Sequence, residues 1–500
     1  MKKLLALVAF AGLFLLSCSD DDEVIPPDVV DPPAIDYTSG SANFSNYVAV
    51  GNSLTAGFSD AALFMDGQTA SMPNMLASNF ALAGGGNFSI PFMADNLGGA
   101  TLGGTPILGN RLILDFSSGS PTPVAVSGMG ATEITQTLAG PFNNMGVPGA
   151  KSYHLVAPGY GDVNGVALGL ANPYYARFAT SPTATVIGDA AMQAPTFFSL
   201  WIGNNDILGY ATAGASGVDQ TGNPDPSTYG PSDITDPMAF AGIYDGLLQA
   251  LTATATGGVI ANIPDVTSIP FFTTVPHNPV PLDAATAELL NNAYAAYNAG
   301  VTQLAGLMAL TPQEAEARQI SFSAGDTNSV VIIDEDLTDL TGFNPALINM
   351  RQADEFDLLV FTSQTFIGTL ANPADPTSIN GVAIPLADQW VLTPEEQITI
   401  QNAVTAYNQT IEALAQAYDV ALVDTNTYLD IVDQLGVQLS DGSTVSSTYG
   451  TGGGFSLDGV HPSPRGYALL ANEFIKAINE KYGSNLPGVE PLDYTGLYVN

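Results

Sequence analysis

Residues 47–54 read YVAVGNSL, so that a short apolar run leads into Ser53, which follows a glycine and an asparagine. Short apolar runs of this kind are typical of parallel strands that are buried on both faces. In open parallel sheets, ligands bind beyond the carboxyl ends of the strands. The stretch therefore predicts an α/β fold in which Ser53 stands at the functional edge of the sheet.

Four further apolar runs extend this prediction to a sheet of five strands. They lie at residues 142–147, 196–202, 258–263 and 420–424. Helical patterns separate them, which is typical of a parallel sheet covered by helices on both faces. The sequence therefore predicts a three-layer α/β/α sandwich with a central parallel five-stranded sheet.

Three helices carry clear signals. Residues 236–255 place apolar side chains on one face. Thr393 with Glu396 forms a predicted capping box that starts a second helix, with Pro394 at its first position. The third helix begins at Ser463-Pro464 and is expected to end at Gly483.

Asp458 and His461 form an Asp-x-x-His pair near the other end of the chain, 408 residues from Ser53. Such a pair can set a carboxylate against one ring nitrogen and leave the other nitrogen free as a base. A serine hydroxyl is a weak nucleophile unless a base accepts its proton. Ser53, His461 and Asp458 are therefore candidates for nucleophile, base and orienting acid.

Two more segments contain small and amide residues after apolar runs. Residues 144–150 read NMGVPGA, and residues 201–206 read WIGNND. With the segments at Ser53 and His461, they resemble the four blocks of the SGNH/GDSL hydrolases, an esterase and lipase family named for Ser, Gly, Asn and His. All four blocks occur in the order of the family. Asn52 stands where the family usually has Asp.

The resemblance implies a flavodoxin-like fold and cleavage of carboxylic esters through an acyl-enzyme. It assigns Ser53, His461 and Asp458 to the catalytic triad. It places the oxyanion hole at the backbone N–H groups of Ser53 and Gly149 and the side-chain amide of Asn205. Gly146 and Asn204 are neighbouring alternatives, and Asp206 is expected to brace the turn. No cofactor or metal is implied.

The N-terminus has the pattern of an export signal. Lys2 and Lys3 precede an apolar stretch too short to span a membrane, and residues 15–18 read LLSC. This ending resembles a bacterial lipobox, which makes Cys18 the expected lipidation site. The alternative is an ordinary signal peptide with an incidental cysteine. Cys18 is the only cysteine, so no intramolecular disulfide is possible.

The resemblance to Bacteroidetes lipoproteins predicts an exported protein at the outer membrane, on its periplasmic or cell-surface face. Residues 19–45 are acidic and rich in proline, which is typical of an extended tether. The acidic run after Cys18 resembles a surface-export signal, although a solvated spacer is the plainer alternative.

The composition excludes some classes of partner. The chain has 500 residues and a formal net charge of −38, with 46% hydrophobic and 12% charged residues. So acidic a surface repels nucleic acid, and the chain is apolar enough for a sizeable core.

The expected partners, implied by the two resemblances, are a small-molecule ester, a lipid or an acylated glycan, and the membrane through the lipid anchor.

The predicted domain plan has one large hydrolase domain. A signal peptide at 1–18 and a tether at 19–45 precede the domain at 46–485, and a tail follows at 486–500. Insertions at about 59–138 and 312–392 are interpreted as lids or substrate walls, or as packing elaborations away from the site. The apolar residues of the first insertion line an acyl groove or belong to the core: Phe88, Ile90, Phe92 and Met93.

Other polar residues are given structural roles. His154 is interpreted as a surface or core histidine, and His277 as a loop residue. The acidic group of Asp334, Glu335, Asp336 and Asp339 lacks the spacing of a calcium loop and is interpreted as a solvated face. The alternative to an esterase is a catalytically silent, lipid-anchored surface protein that binds a glycan or lipid. The acyl-chain length of the substrate stays open.

Overall fold

The computed structural model describes residues 35–117 and 119–499. Tyr37–Asn500 forms one compact unit. The predictions for residues 1–18, including Cys18, and for the tether up to residue 34 lie outside the described residues. Within the described ranges, no helix is both long and apolar enough to cross a membrane.

Five parallel strands form the central sheet, as predicted. They are β1 (Tyr47–Gly51), β2 (Asn144–Gly146), β3 (Phe197–Trp201), β4 (Gly257–Ala261) and β5 (Ala421–Val423). Their spatial order is β5-β4-β3-β1-β2, and every pairing is parallel. This is the flavodoxin-like order, in which the site lies where the chain direction of the crossovers reverses, beside β1. The predicted strand boundaries agree within about two residues, a normal margin for such predictions.

Alternate residues of β1 enter different hydrophobic clusters, which shows that the sheet is buried on both faces. Val48 and Val50 pack in one cluster, and Tyr47 and Ala49 pack in another. Because successive side chains of a strand point to opposite faces, a strand covered on both sides must be apolar throughout. The two clusters make the three layers of the predicted α/β/α sandwich.

Helices connect and cover the strands. They are α1 (Ser53–Ala56), α2 (Met72–Leu82), α3 (Val186–Ala191), α4 (Asn205–Thr212), α5 (Pro237–Thr252), α6 (Ala284–Gly306), α7 (Pro394–Ala417), α8 (Thr425–Gln434) and α9 (Pro464–Tyr482). Helices α3, α5 and α7 cover one face of the sheet, while α2 and α9 cover the other. Further short α-helices span Met65–Thr69, Val163–Val166, Pro270–Thr273 and Pro312–Ala317.

The predicted helix ends are confirmed by their caps. Thr393 and Glu396 form a reciprocal capping box at the start of α7. Ser463 accepts a hydrogen bond from the Gly466 N–H at the start of α9, and Gly483 ends that helix in the left-handed region with φ of 68°. Glycine tolerates this conformation because it has no Cβ.

The first long segment between blocks, 59–138, is structurally mixed. Its helix α2 packs on α9 and belongs to the core of the second face. Its strands form two small sheets that are separate from the central one. Ala100–Leu102, Thr105–Leu108 and Thr132–Glu133 form a three-stranded sheet, and Leu112–Asp115 pairs with Thr122–Ala125.

A third hydrophobic cluster lies outside the sandwich. It runs from Val275 to Val391 and is centred on α6, so it begins well before the predicted insertion at 312–392. Paired two-stranded sheets complete it: Val280–Leu282 with Gly325–Asn328, Val331–Ile333 with Met350–Gln352, and Leu358–Leu359 with Val391–Leu392. A last pair, Val437–Gln438 with Thr444–Val445, follows α8.

Asp334 corrects one sequence prediction. Its carboxylate is buried and accepts a hydrogen bond of 2.6 Å from Arg351 Nε. The antiparallel pairing of Val331–Ile333 with Met350–Gln352 brings this arginine to it. The interpretation of a solvated acidic face is therefore wrong for Asp334, whereas Glu335, Asp336 and Asp339 are exposed as expected.

Candidate active site

Ser53 stands at the carboxyl end of β1, in the first turn of α1. Asn52 caps this helix by accepting the Leu54 N–H at 3.0 Å. A Cβ on Gly51 would lie 2.2 Å from Thr55 Oγ1 and 2.4 Å from Trp201 O. Glycine at 51 therefore lets α1 begin directly against β3, and this tight strand-to-helix turn holds the serine hydroxyl at the sheet edge.

His461 bridges Ser53 and Asp458. Its Nε2 lies 2.9 Å from Ser53 Oγ, and its Nδ1 lies 2.9 Å from Asp458 Oδ2. Phe58 packs against the imidazole, with ring centroids 4.6 Å apart. The fold thus brings Ser53 to an Asp-His pair that lies about four hundred residues further along the sequence, and the three side chains stand in hydrogen-bonding order.

Asp458 is held by several donors besides His461. Its Oδ1 accepts the N–H groups of Val460 and His461 at 2.9 Å and 2.8 Å. Burial opposes ionisation, but the charge of His461 and these hydrogen bonds outweigh it and lower the pKa of Asp458 to about 2. Asp458 is therefore a carboxylate at neutral pH and can hold the ring in one tautomer.

Asp60 and Ala61 also contact this loop and were not recognised in the sequence. Both residues are in the left-handed region, with φ of 51° and 63°. Ala61 N–H donates to Asp458 Oδ2 at 3.0 Å, and Leu457 N–H donates to Asp60 Oδ1 at 3.0 Å. Burial, followed by the charge of Asp458 among the raising causes, lifts the pKa of Asp60 to about 6, although the Leu457 N–H opposes this. No local sequence signal reports a contact between such distant segments.

The two backbone N–H groups assigned to the oxyanion hole have no acceptor among the described residues. Within the described residues, the N–H groups of Ser53 and Gly149 donate no hydrogen bond. The Gly146 N–H, in contrast, donates to Asn144 Oδ1 at 2.9 Å. Gly149 is in the left-handed region with φ of 79°. Of the two glycines considered in the sequence, Gly149 is thus the one with an available donor.

Asn205 and Asn204 differ in their contacts. Asn205 Nδ2 donates to Ala150 O at 2.9 Å, which uses one of its two hydrogens. Asn204 Oδ1 accepts from Asn52 Nδ2 at 3.2 Å. Asn205 therefore ties the start of α4 to the Gly149 loop, and Asn204 ties it to the serine turn.

Asp206 also connects the start of α4 to the Gly149 loop. Its carboxylate accepts Ser152 N–H at 2.8 Å and Ser152 Oγ–H at 2.7 Å. Burial raises the pKa of Asp206, while the Ser152 hydrogen bonds and the charge of Lys151 act in the opposite direction. Ser152 thus joins the Asp206 turn to the Gly149 loop, a role that the sequence did not reveal.

The other histidines lie in structural settings. His154 Nδ1 accepts the Lys151 N–H at 3.0 Å, and its ring stacks on Tyr160 with centroids 4.5 Å apart. Burial, with the charge of Lys151, lowers the pKa of His154 to about 4. His277 lies in a loop, and its carbonyl accepts the Val330 N–H. Both agree with the structural interpretation.

A group of carboxylates lies away from the triad. Oxygens of Glu335, Asp388 and Glu396 lie within 4.8 Å of one another. Burial and the neighbouring carboxylates raise the pKa of Asp388 to about 7 and that of Glu396 to about 8. Burial and like charge therefore favour the protonated forms of Asp388 and Glu396.

An apolar pocket opens beside Ser53 and His461. The pocket is partly open to solvent and has a cavity volume of about 100 Å³. Its apolar lining comes mainly from residues 264–269, from α8 and from residues 454–470. None of the lining residues belongs to 59–138 or 312–392, so neither predicted insertion walls this pocket. Phe88, Ile90, Phe92 and Met93 also lie outside it.

Sequence comparison with known proteins finds no relative. No family model matches the chain, and no curated protein sequence matches it.

Three solved structures resemble it at low identity. A mutant of an acetyl-xylooligosaccharide esterase from Geobacillus is 9% identical, with 87% of this chain and 95% of that chain covered and a TM-score of 0.29. An α/β hydrolase enzyme from the metagenome of Lake Arreo is 10% identical, covers 88% and 96%, and has a TM-score of 0.29. A protein described as a GDSL-like lipase from Parabacteroides merdae is 11% identical, covers 88% and 99%, and has a TM-score of 0.30.

At these scores, no conclusion about chemistry follows from the similar structures. The resemblance to the SGNH/GDSL hydrolases stands on the chain itself, in its flavodoxin-like sheet order and the four segments that meet at the carboxyl edge of that sheet.

Proposed function

We propose that the protein is a serine hydrolase that cleaves carboxylic esters of small molecules, lipids or acylated glycans. One observation carries the proposal: His461 lies 2.9 Å from Ser53 Oγ through one nitrogen and 2.9 Å from Asp458 through the other. This is the arrangement that a serine nucleophile requires, with a base to take its proton and an acid to orient the base.

In the proposed mechanism, Ser53 Oγ attacks the ester carbonyl while His461 Nε2 accepts the hydroxyl proton. The oxyanion is stabilised by the free N–H groups of Ser53 and Gly149 and by the second amide hydrogen of Asn205. The alcohol leaves with the proton held by His461. Water then attacks the acyl-enzyme, with the same ring as base, and releases the carboxylic acid.

The test is hydrolysis of nitrophenyl acetate by the purified protein and by Ser53→Ala. We expect the variant to lose nearly all turnover while its melting temperature stays close to that of the unchanged protein. Ser363→Ala is the matched control, because Ser363 is also buried but lies in the helical turn Phe361–Thr365 and contacts no triad residue among the described hydrogen bonds. Turnover of Ser53→Ala at the unchanged rate would refute the proposal.

A covalent probe gives a second readout of the same proposal. A fluorophosphonate should add one label per chain, on the peptide that contains Ser53, because the activated hydroxyl attacks phosphorus as it attacks a carbonyl. Labelling that persists in Ser53→Ala would assign the nucleophile to another residue.

We also propose that the protein is a lipoprotein attached through Cys18 to the outer membrane. The support is the sequence of residues 1–18, with its basic start, apolar stretch and LLSC ending. Two acyl chains on a cysteine bind a membrane far more firmly than one. When cells that produce the protein grow with labelled palmitate, the label should appear on the unchanged protein and not on the Cys18→Ala variant. Equal labelling of the two proteins would exclude Cys18 as the lipidation site.

A further inference from the structure

The apolar pocket is poorly suited to a charged ligand. Among its lining residues there is no aspartate, glutamate, lysine or arginine. The polar lining groups include Ser53, His461, Asn204 and Asn205, the residues around the proposed reaction centre. The apolar groups lie along α8, residues 264–269 and the start of α9. A ligand that fits both parts has a polar group at the serine and a hydrocarbon portion attached to it.

Helix α8 separates this pocket from a polar groove. Thr425, Tyr428, Leu429 and Val432 line the apolar pocket, at the spacing of one helical face. Asn426, Thr427 and Asp430, on another side of the helix, line a groove with further acidic and amide side chains. The apolar face of α8 therefore borders open space beside the serine instead of being wholly used in a core.

We propose that this pocket binds the hydrocarbon chain of the ester substrate, so that the enzyme acts on esters with a medium or long hydrocarbon chain in preference to esters without one. The inference rests on the proposed function and specifies its substrate class. This hydrocarbon chain is part of either the acyl group or the alcohol of the ester, and the pocket would bind it in both cases by burying methylene groups. Each methylene buried in the pocket is worth about 0.8 kcal/mol, or about fourfold in kcat/KM.

Two ester series test the proposal and separate these sources. In the first, nitrophenyl esters carry acyl chains from acetyl to decanoyl; in the second, acetate esters carry alkyl alcohols of increasing length. We expect kcat/KM to rise by about fourfold per methylene in one of the series until the pocket is full. A rise in the first assigns the pocket to the acyl chain, and a rise in the second assigns it to the alcohol. Serine-dependent hydrolysis with flat profiles in both would overturn the proposal and leave the esterase intact.

A pair of variants on α8 tests the location. Val432→Phe adds bulk within the pocket, whereas Ile431→Phe adds the same group at an exposed position of the same helix. In the ester series whose kcat/KM rises with chain length, we expect the ratio of kcat/KM for the longest over the shortest ester to fall at least tenfold in the first variant and to stay unchanged in the second. Equal ratios in all three proteins would place the chain elsewhere.

A binding measurement needs no turnover. Trp201 lines the pocket, and the only other tryptophan is Trp390 in the third cluster. In Ser53→Ala carrying Trp390→Phe, titration with 1-decanol should change the Trp201 fluorescence saturably, and adding Val432→Phe should weaken this change. Saturable binding here, together with no ester hydrolysis by the unchanged protein, would support the pocket and refute the esterase. The absence of a saturable change with decanol would overturn the pocket, even if Val432→Phe itself failed to fold.

Discussion

Asn52 uses both ends of its side chain at the serine turn. Its oxygen accepts the Leu54 N–H, and its amide nitrogen donates to Asn204 Oδ1. An aspartate at this position would keep the acceptor and lose the donor. The departure from the usual Asp of the family therefore couples the serine turn to the start of α4, and it preserves the cap of α1.

Ser152 holds the Gly149 loop against α4, and a substitution there tests this contact while leaving the triad residues unchanged. Ser152→Ala removes the hydroxyl that donates to Asp206 and keeps the backbone N–H. The clamp between the Gly149 loop and α4 is then looser. We expect kcat to fall about tenfold, the effect of about 1.4 kcal/mol of lost transition-state stabilisation, with KM little changed.

The measurement is the separate determination of kcat and KM for nitrophenyl acetate. Ser152→Thr, which restores a hydroxyl, should recover part of the loss. Ser216→Ala is a control, because the Ser216 hydroxyl bonds only the nearby Ala213 carbonyl. A rise in KM with kcat unchanged would contradict a role in positioning the oxyanion donors.

Helix α7 begins with a capping box whose glutamate lies close to two other carboxylates. Glu396 Oε2 accepts the Thr393 N–H at 2.7 Å, which satisfies a helix end. Burial and the charges of Glu335 and Asp388 nevertheless raise the pKa of Glu396 to about 8. An acid whose pKa is higher in the folded state binds more protons there than in the unfolded chain. It therefore lowers stability as pH rises from its unfolded pKa to its folded pKa.

Glu396→Gln should remove this loss, because glutamine stays neutral and its oxygen still accepts the Thr393 N–H. We expect the variant and the unchanged protein to have similar melting temperatures below pH 4.5, the ordinary pKa of a glutamate side chain, and the variant to be more stable above pH of about 8. Thermal melts across this pH range provide the measurement. Glu395→Gln, at an exposed site in the same turn, should not reproduce the gain. An equal pH dependence of all three proteins would contradict the argument.

The chain buries its apolar residues in separate clusters on the two sheet faces and in the segment from Val275 to Val391. The last of these contains a buried ionic group. Arg351 donates to Asp334 at 2.6 Å and to both oxygens of Asp357 at 2.6 Å and 2.7 Å. Removing one member of a buried ion group leaves uncompensated charge in a medium that solvates it poorly.

Arg351→Met should destabilise the fold by about 3–5 kcal/mol, because two buried carboxylates lose their common partner. Urea unfolding followed by tryptophan fluorescence measures this, since Trp201 lies in the sandwich and Trp390 packs on the third cluster. Lys476→Met, which breaks an exposed pair with Glu473, should cost about 0–1 kcal/mol. Similar small losses in both variants would contradict a structural role for the Arg351 group.

Local sequence patterns were sufficient to predict the strands and the main helices of the sandwich. The five sheet strands and the three helices with clear signals are found where they were predicted, because apolar runs, capping residues and proline or glycine act within a few neighbouring residues. The face of α8 that lines the pocket has the same kind of signal and could have been found from the spacing of Thr425, Tyr428, Leu429 and Val432. The third cluster was harder to delimit, since its strands are short and pair across long separations.

The sequence by itself determined the chemistry available to the protein: a serine after a strand, an Asp-x-x-His pair, and glycine and asparagine at two turns. Only the tertiary structure decided which of these groups meet. It joined His461 to Ser53, left the Gly149 N–H free while using that of Gly146, and placed Asp60 and Ser152 beside the site. The physical reason is that such contacts depend on sheet order and loop packing, which bring together residues that no local pattern connects.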